Sequence, residues 1–448
     1  MDFRRIPDPS SLNAEKKKEN KEKYEMKKII ALLLALMMAL GMVAAIAEEV
    51  VEEEPAYVLG TDPIYDAIMI EPNRLQEYAS TVTPAEQVAA TTTLTPSYSA
   101  IPLNTAKTNP VARPQIIAGV SSSTTDDELK MWKQMGINAV ELSIGANELS
   151  YEALYPTVER LRNFENGGFE ILLASYGKYQ KDTVIHLQLE GWEEEIEKFN
   201  DYLRLMDSLN IRTVAIAWQP NGISRSGDTP KSIHGANAGA TNMEGIDPME
   251  LKNDRYYTRE EMWKTFGDFL ERVLPVCEET NVRMALHPND PPVPYLGGVG
   301  SLVMSADDYR RAFDLANDSP YLGMKLCTGC WLEGGLLFTD DMLGDIDEFV
   351  RRGKVFEVHF RNVTAPLNLD YSGYFEECLA EDGYADMYEI MLQFIRSGYN
   401  GPIFCDHTHR SVNSELLGSK TNRASSDAWI QGLIYAARAQ VLKEIAVK

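Results

Sequence analysis

The sequence predicts an α/β protein of the (β/α)8 barrel class, and three observations carry that expectation. From Arg113 onward, short strand-like apolar runs alternate with longer segments of helical period. Eight such runs follow one another with seven helical segments between them, and a last long segment, SSDAWIQGLIYAARAQVLKEIAV, follows the eighth run. The runs are almost continuously apolar, as parallel strands covered on both faces are. An open doubly wound sheet is the other arrangement that such alternation allows. Strand number and the terminal helix favour the barrel.

The predicted strands are IIAGV (116–120), NAVELSI (138–144), EILLAS (170–175), TVAIAW (213–218), VRMALHP (282–288), LGMKLC (322–327), VFEVHFRN (355–362) and PIFCDH (402–407). Between them lie DDELKMWKQMG, YEALYPTVERLRNF, WEEEIEKFNDYLRLMDSLN, REEMWKTFGDFLERVLPVCEETN, ADDYRRAFDLAN, TDDMLGDIDEFVRRG and DMYEIMLQFIRSG. Apolar residues recur there at i, i+3, i+4 and i+7, and several segments close on Gly or Asn, as helices do. One connection is long. Residues 219–257 separate the fourth strand from its helix and include the Gly-rich stretches NGISRSGD and HGANAGATN. A loop of that length at a catalytic face is expected to be functional, with Arg225 and His234 as residues able to meet an anionic substrate.

The N-terminus reads as an address. A basic stretch ending in Lys27 and Lys28 precedes an uncharged apolar run from Ile29 to Ala47, with small residues at Ala45 and Ala47. This is the pattern of a cleavable secretory signal peptide; a signal anchor is the alternative. Met26 is a plausible true start, since MKKIIALLLALMMALG is a signal by itself. Residues 48–112, acidic and then rich in Thr, Pro, Ser and Ala, read as a low-complexity linker. The expected organisation is therefore an extension and signal over 1–47, a linker over 48–112 and a barrel over 113–448, exported or displayed at the cell surface.

Composition excludes several classes. Charged residues make up 25% and hydrophobic ones 44%, which rules out a wholly disordered or collagenous chain. There are 43 Lys and Arg against 67 Asp and Glu, a net charge of −24. No basic stripe lies outside the first 28 residues, so nucleic acid is not an expected partner. Nor is a membrane, once the signal is removed. The five Cys cannot all pair within one chain, so a disulfide framework is a poor reading and each thiol calls for its own account.

In a barrel of this class the active site is built at the C-terminal ends of the strands. The chain has only six His. His287 closes the fifth strand, His359 the seventh and His407 the eighth, with His409 two residues on. Cys327 closes the sixth strand and Asp406 adjoins His407. Two His, a thiolate and a carboxylate form a mixed donor set suited to a divalent transition ion. A strand His taken singly is more often a hydrogen-bonded core residue, but this many ligand types at one rim argue otherwise. Cys327 and Cys330 also form a CxxC, for which a redox pair or half a zinc site are further readings. Cys277 reads as core.

Five segments then carry a family resemblance: HPNDPP (287–292), CTG (327–329), HFRNV (359–363), DM (386–387) and GYNGPIFCDH (398–407). Their order resembles the mannonate dehydratases, xylose-isomerase-like barrel enzymes of hexuronate catabolism. The likeness is strong over residues 255–407 and weak over the first half. It implies dehydration of D-mannonate to 2-keto-3-deoxygluconate with Mn2+ or Fe2+ bound by His287, Cys327, His359 and Asp406. It further implies His407 as acid/base group and Arg361 on the substrate carboxylate; His409, two residues beyond His407, is the second choice for proton transfer. Asn289, Asp290 and Asn362 of the same motifs are expected at the substrate. Two family features are missing: the Tyr that follows the ligand Asp has no counterpart in SVNSELLGSKTNRASSDAW, and the His of FxExxH is absent from YFEECLAEDGYADM, where Glu376 or Glu377 keeps the Glu.

The expected activity is thus a metal-dependent lyase acting on a small sugar acid. A sugar isomerase or epimerase on the same design and a non-catalytic carbohydrate-binding relative are the alternatives. Assembly into a homo-oligomer is left open.

Overall fold

The computed structural model describes residues 111–229, 238–407 and 420–446. The extension, the signal-like run and nearly all of the linker lie outside the described residues, as do His234 and His409. No helix among the described residues is long and apolar enough to cross a membrane.

Eight parallel strands close into a barrel. They are β1 (Gln115–Val120), β2 (Ala139–Ser143), β3 (Glu170–Ser175), β4 (Thr213–Ala217), β5 (Arg283–His287), β6 (Leu322–Cys327), β7 (Val355–His359) and β8 (Pro402–Phe404). Neighbours in sequence are neighbours in the wall, and β8 closes the ring by pairing with β1 at Gln115↔Pro402 and Ile116↔Ile403. An open sheet would leave those two strands as edges, so closure decides between the two arrangements that the sequence allowed.

The main helices are α1 (Asp126–Gln134), α2 (Tyr151–Arg162), α3 (Trp192–Ser208), α4 (Arg259–Thr280), α5 (Ala306–Leu315), α6 (Met342–Arg351), α7 (Met387–Ser397) and α8 (Lys420–Ala446). Local sequence sets their ends. Thr125 and Thr258 each form a capping box, with Glu128 and Glu261, at the starts of α1 and α4. Asn281 and Gly398 end α4 and α7 in the left-handed conformation, which frees a backbone N–H to meet a terminal carbonyl. The core is the annulus between strands and helices, where Val214, Met284, Leu326, Val358, Phe266 and Phe394 are buried. A smaller cluster of Ile117, Ala139 and Leu173 is separate from it. Val111 and Ala112, just before the expected barrel start, are buried as well, and Arg438 on α8 donates to the carbonyl of Ala112 at 2.9 Å.

The long connection after β4 is not a loose loop. It contributes strands Gly227–Thr229 and Ala238–Asn242 to a four-stranded sheet completed by Tyr374–Cys378 and Asn362–Val363 from the β7–α7 connection. Two excursions far apart in sequence thereby share one sheet, and that sheet delivers Arg225, Glu377 and Asn362 to the rim.

Candidate functional site

Register brings the rim residues together. Along the β6–β7 ladder a shift between Met324 and Lys325 leaves Cys327 directly opposite His359. Such irregularities re-aim side chains next to functional sites. His287 ends β5 on the other side of β6, and its ring centroid lies 5.3 Å from that of His359. Asp406 follows β8, with Oδ2 3.1 Å from His359 Nδ1. One donor atom each from Cys327, His359 and Asp406 lies within 4.8 Å of the others, and Cys327 belongs to a second such group with His287 and Cys330. Cys327 is thus shared by two adjoining groups that together contain the four residues expected to hold an ion.

Their electrostatics suit that task. Burial disfavours a thiolate at Cys327. The Cys330 neighbour, the Arg361 guanidinium and His287 outweigh it and hold the thiol well below its ordinary range. Cys330, buried beside that thiolate, is pushed well up and stays a thiol. Burial likewise opposes ionisation of Asp406, but His359, His407 and Arg361 keep it well below the usual carboxylate range. His359 Nδ1 and Nε2 and Asp406 Oδ1 are buried with no hydrogen-bond partner among the described residues. Buried polar atoms left this way are costly unless something occupies the space between them. A divalent cation meets that need, and an N/S/O donor set is appropriate to one.

The CTG motif now has a physical meaning at each position. Cys327 supplies the sulfur. The Thr328 hydroxyl accepts from Arg361 N at 3.0 Å and lies 2.8 Å from the Arg361 carbonyl, stapling the end of β6 to that of β7. Gly329 is packed so closely that a Cβ there would stand 2.2 Å from the Arg361 guanidinium carbon.

Beside these donors His407 and Glu377 form a pair. His407 Nδ1 is 2.7 Å from Glu377 Oε2, and its Nε2 is 3.4 Å from Asp406 Oδ2. Burial works against the imidazolium, but Asp406 and Glu377 raise its pKa above the ordinary histidine value. The side chain retains 31% exposure, more than His359, Asp406 or Glu377. Arg225 in turn donates to Glu377 Oε1 at 2.6 Å and to Asp290 Oδ2 at 2.9 Å. Sequence reading left the choice between Glu376 and Glu377 open. The sheet resolves it, because Glu376 bonds Tyr374 and takes no part at the rim.

Four residues expected at the substrate have protein partners here. Arg361 was expected on a substrate carboxylate, yet its side chain is 2% exposed and already engaged. It lies 2.7 Å from Glu333 Oε1, 3.1 Å from Asp290 Oδ2 and 3.4 Å from Asp406 Oδ2. It serves as a buried counter-ion behind the ligands. Asn362 and Asn289 were expected at the substrate but are spent on backbone. Asn362 donates to the carbonyls of Ala380 and Ala385, both at 2.9 Å. Asn289 accepts from Val303 N at 2.9 Å and donates to the Trp218 carbonyl. Asp290 is 1% exposed between Arg225 and Arg361, whose charges overcome its burial and keep it ionised, so it too is occupied. Arg225, a substrate candidate in the sequence, is the other half of that network. Glu333 has no sequence signal of its own; burial and the nearby Asp290 push its carboxyl well up.

Residues 233–444 match the D-mannonate dehydratase (UxuA) family. That span contains every rim residue described above except Arg225. Mannonate dehydratase of Enterococcus faecalis is 35% identical over 189 residues, covering 41% of this chain and 49% of that protein. The enzyme of Brachyspira hyodysenteriae is 33% identical over 183 residues, covering 39% and 47%. The chain thus spans about half the length of the relatives it matches. The crystal structure of mannonate dehydratase from Streptococcus suis serotype 2 superposes with a TM-score of 0.62 at 19% identity, over 74% of this chain and 95% of that one. At that identity the superposition speaks for the fold, which runs the length of the barrel.

Proposed function

We propose that the protein is a metal-dependent hydro-lyase of a small sugar acid, with D-mannonate as substrate and 2-keto-3-deoxygluconate and water as products. The observation that carries this reading is the convergence of His287, Cys327, His359 and Asp406 beside the His407–Glu377 pair. Mn2+ or Fe2+ suits a site with two imidazoles, one thiolate and one carboxylate. Bound there, a divalent ion supplies Lewis acidity against the negative charge that develops beside the substrate carboxylate.

The chain's own groups account for the rest. Dehydration breaks the C2–H and C3–O bonds, and the departing hydroxyl gains a proton to leave as water. The resulting enol tautomerises to the 2-keto acid. His407 is the group to move a proton, since Nδ1 rests on Glu377 while the side chain keeps 31% exposure. Glu377, clamped by Arg225, fixes the ring's orientation and supports its charge. Arg361 balances Asp290, Glu333 and Asp406 from behind.

The uncharged run from Ile29 to Ala47 supports export, to the medium or the cell surface. Fractionation of the source cells tests that placement.

The activity is tested with the purified, reduced chain, Mn2+ or Fe2+, and D-mannonate. Formation of 2-keto-3-deoxygluconate, lost in Cys327→Ala and His359→Ala, is the expected result. An ion bound at one per chain with no dehydration would refute the dehydratase reading. It would point to isomerisation, which keeps every oxygen, or to binding alone.

A further inference from the structure

Inside the barrel, beyond the ligands, lies a charged group that the proposed reaction does not use. Lys325 on β6 is 4% exposed. Its ammonium stands 3.0 Å from Glu141 Oε1 on β2 and 2.9 Å from Glu357 Oε2 on β7. In the ring of eight strands β2 and β6 are diametrically opposed, so the triad spans the interior. Buried ion pairs of this kind add little net stability, and apolar side chains of similar volume would fill the space as well. Something other than packing accounts for a lysine and two carboxylates there.

The triad's geometry points to the ligand rim. Side chains two apart on a strand share a face, which places Lys325 under Cys327 and Glu357 under His359. Glu357 Oε1 is 3.8 Å from His359 Nε2, while His359 Nδ1 is 3.1 Å from Asp406 on the ligand side. Neither imidazole nitrogen has a hydrogen-bond partner among the described residues, and neither has Glu357 Oε1. Glu141, Glu357 and His359 also bring three donor atoms within 4.8 Å, but the Lys325 ammonium already supplies the cation between the two carboxylates. A second metal position is therefore not the explanation.

We infer that Glu357 is a positioning residue for His359: anchored through Lys325 to Glu141 across the barrel, its carboxylate faces Nε2 and directs Nδ1 toward Cys327 and Asp406. The inference rests on the metal reading above. At 3.8 Å the carboxylate acts on the ring through its charge: it favours the tautomer with the proton on Nε2, which leaves Nδ1 free to bind, and raises the ring's basicity. The Lys325 ammonium keeps Glu357 in place, and Glu141 holds Lys325 from the far wall.

The test uses the full chain, reduced and stripped of metal, with Mn2+ affinity measured by competition against a chromogenic chelator. Glu357→Gln is expected to weaken Mn2+ binding by about 10–100-fold, the usual effect of losing such a partner. The absorption bands of bound Co2+ should shift as well. Glu357→Asp, which keeps the charge and the Lys325 pair, should recover part of the affinity and serves as the reading if the Gln variant does not fold. A folded variant of either kind that binds Mn2+ as wild type does, with an unchanged Co2+ spectrum, overturns the inference. Wild-type chain that takes up no divalent ion, behaving as His359→Ala does, overturns the metal reading instead, and the inference with it.

Discussion

The imidazole of His407 meets the carboxylate of Glu377 at 2.7 Å, although the two arrive from different layers of the molecule. His407 follows the last barrel strand, whereas Glu377 sits on the accessory sheet that two long connections build together. The acid–base pair therefore exists only when that sheet is docked on the rim. Glu377→Gln removes the charge while preserving size. It is expected to lower kcat by about two orders of magnitude, in the range of positioned acid–base catalysis, with a much smaller change in KM. Steady-state kinetics over a range of substrate concentrations reads the split; an unchanged kcat would remove Glu377 from the site.

Metal content provides the next check. Cys327→Ala, His287→Ala, His359→Ala and Asp406→Ala each remove one converging donor. Each variant, loaded with Mn2+ and passed over a desalting column, should retain well under one ion per chain by elemental analysis. Cys277→Ala, distant on α4, should retain the wild-type content.

Gly329 has no room for a side chain. Its Cβ would stand 2.2 Å from the Arg361 guanidinium carbon, and that guanidinium is fixed by Asp290 and Glu333. Gly329→Ala should destabilise the fold by about 1–3 kcal/mol, as overpacking does, and weaken ion binding as Arg361 is displaced. Denaturant unfolding measures the first effect. A stability equal to wild type would show that Arg361 moves freely, contrary to its packing.

Arg225 holds two carboxylates at once. Removing one partner of a buried ion pair typically costs about 3–5 kcal/mol, because a charge is left uncompensated. Arg225→Ala should approach that loss, moderated by the 17% exposure of its side chain. Arg225→Lys should recover little, since an ammonium cannot reproduce the forked contacts to Asp290 and Glu377. Full rescue by Lys would make the interaction a simple point charge.

His186 gives a pH dependence independent of any metal. It is buried against Trp218, with ring centroids 4.2 Å apart, and burial lowers its pKa to about 3 from an ordinary 6.5. Above pH 6.5 both folded and unfolded states carry it neutral and it adds no pH dependence. Below that, the unfolded chain takes up a proton that the folded one refuses, so stability falls by about 1.4 kcal/mol per pH unit toward pH 3. His186→Phe should flatten this part of the stability profile relative to wild type. Parallel profiles from denaturant melts between pH 7 and pH 4 would contradict it.

The barrel was legible because its information is local. The run EILLAS is both the predicted and the observed third strand, and LGMKLC the sixth. Thr125, Thr258, Asn281 and Gly398 punctuate helices through contacts within one turn. The placement of the candidate ligands was legible for a related reason: once eight strands are counted, every strand end lies on one rim. His287, Cys327, His359 and Asp406 close or follow four of those strands.

The roles of the remaining polar residues were not legible, because they depend on contacts across long sequence separations. Nothing local distinguishes an Arg that meets substrate from one buried between Asp290 and Glu333, or an Asn that faces a ligand from one that donates to Ala380 and Ala385. Glu377 reaches His407 only through the accessory sheet, and Glu141 reaches Lys325 only across the barrel. The sequence by itself determined the elements, their order and the rim on which chemistry-bearing side chains end. Which of those side chains meet one another, which pair with a carboxylate and which are enclosed by their neighbours was decided by tertiary structure, since a charge or hydrogen bond takes its partners from groups that only folding brings within a few ångströms.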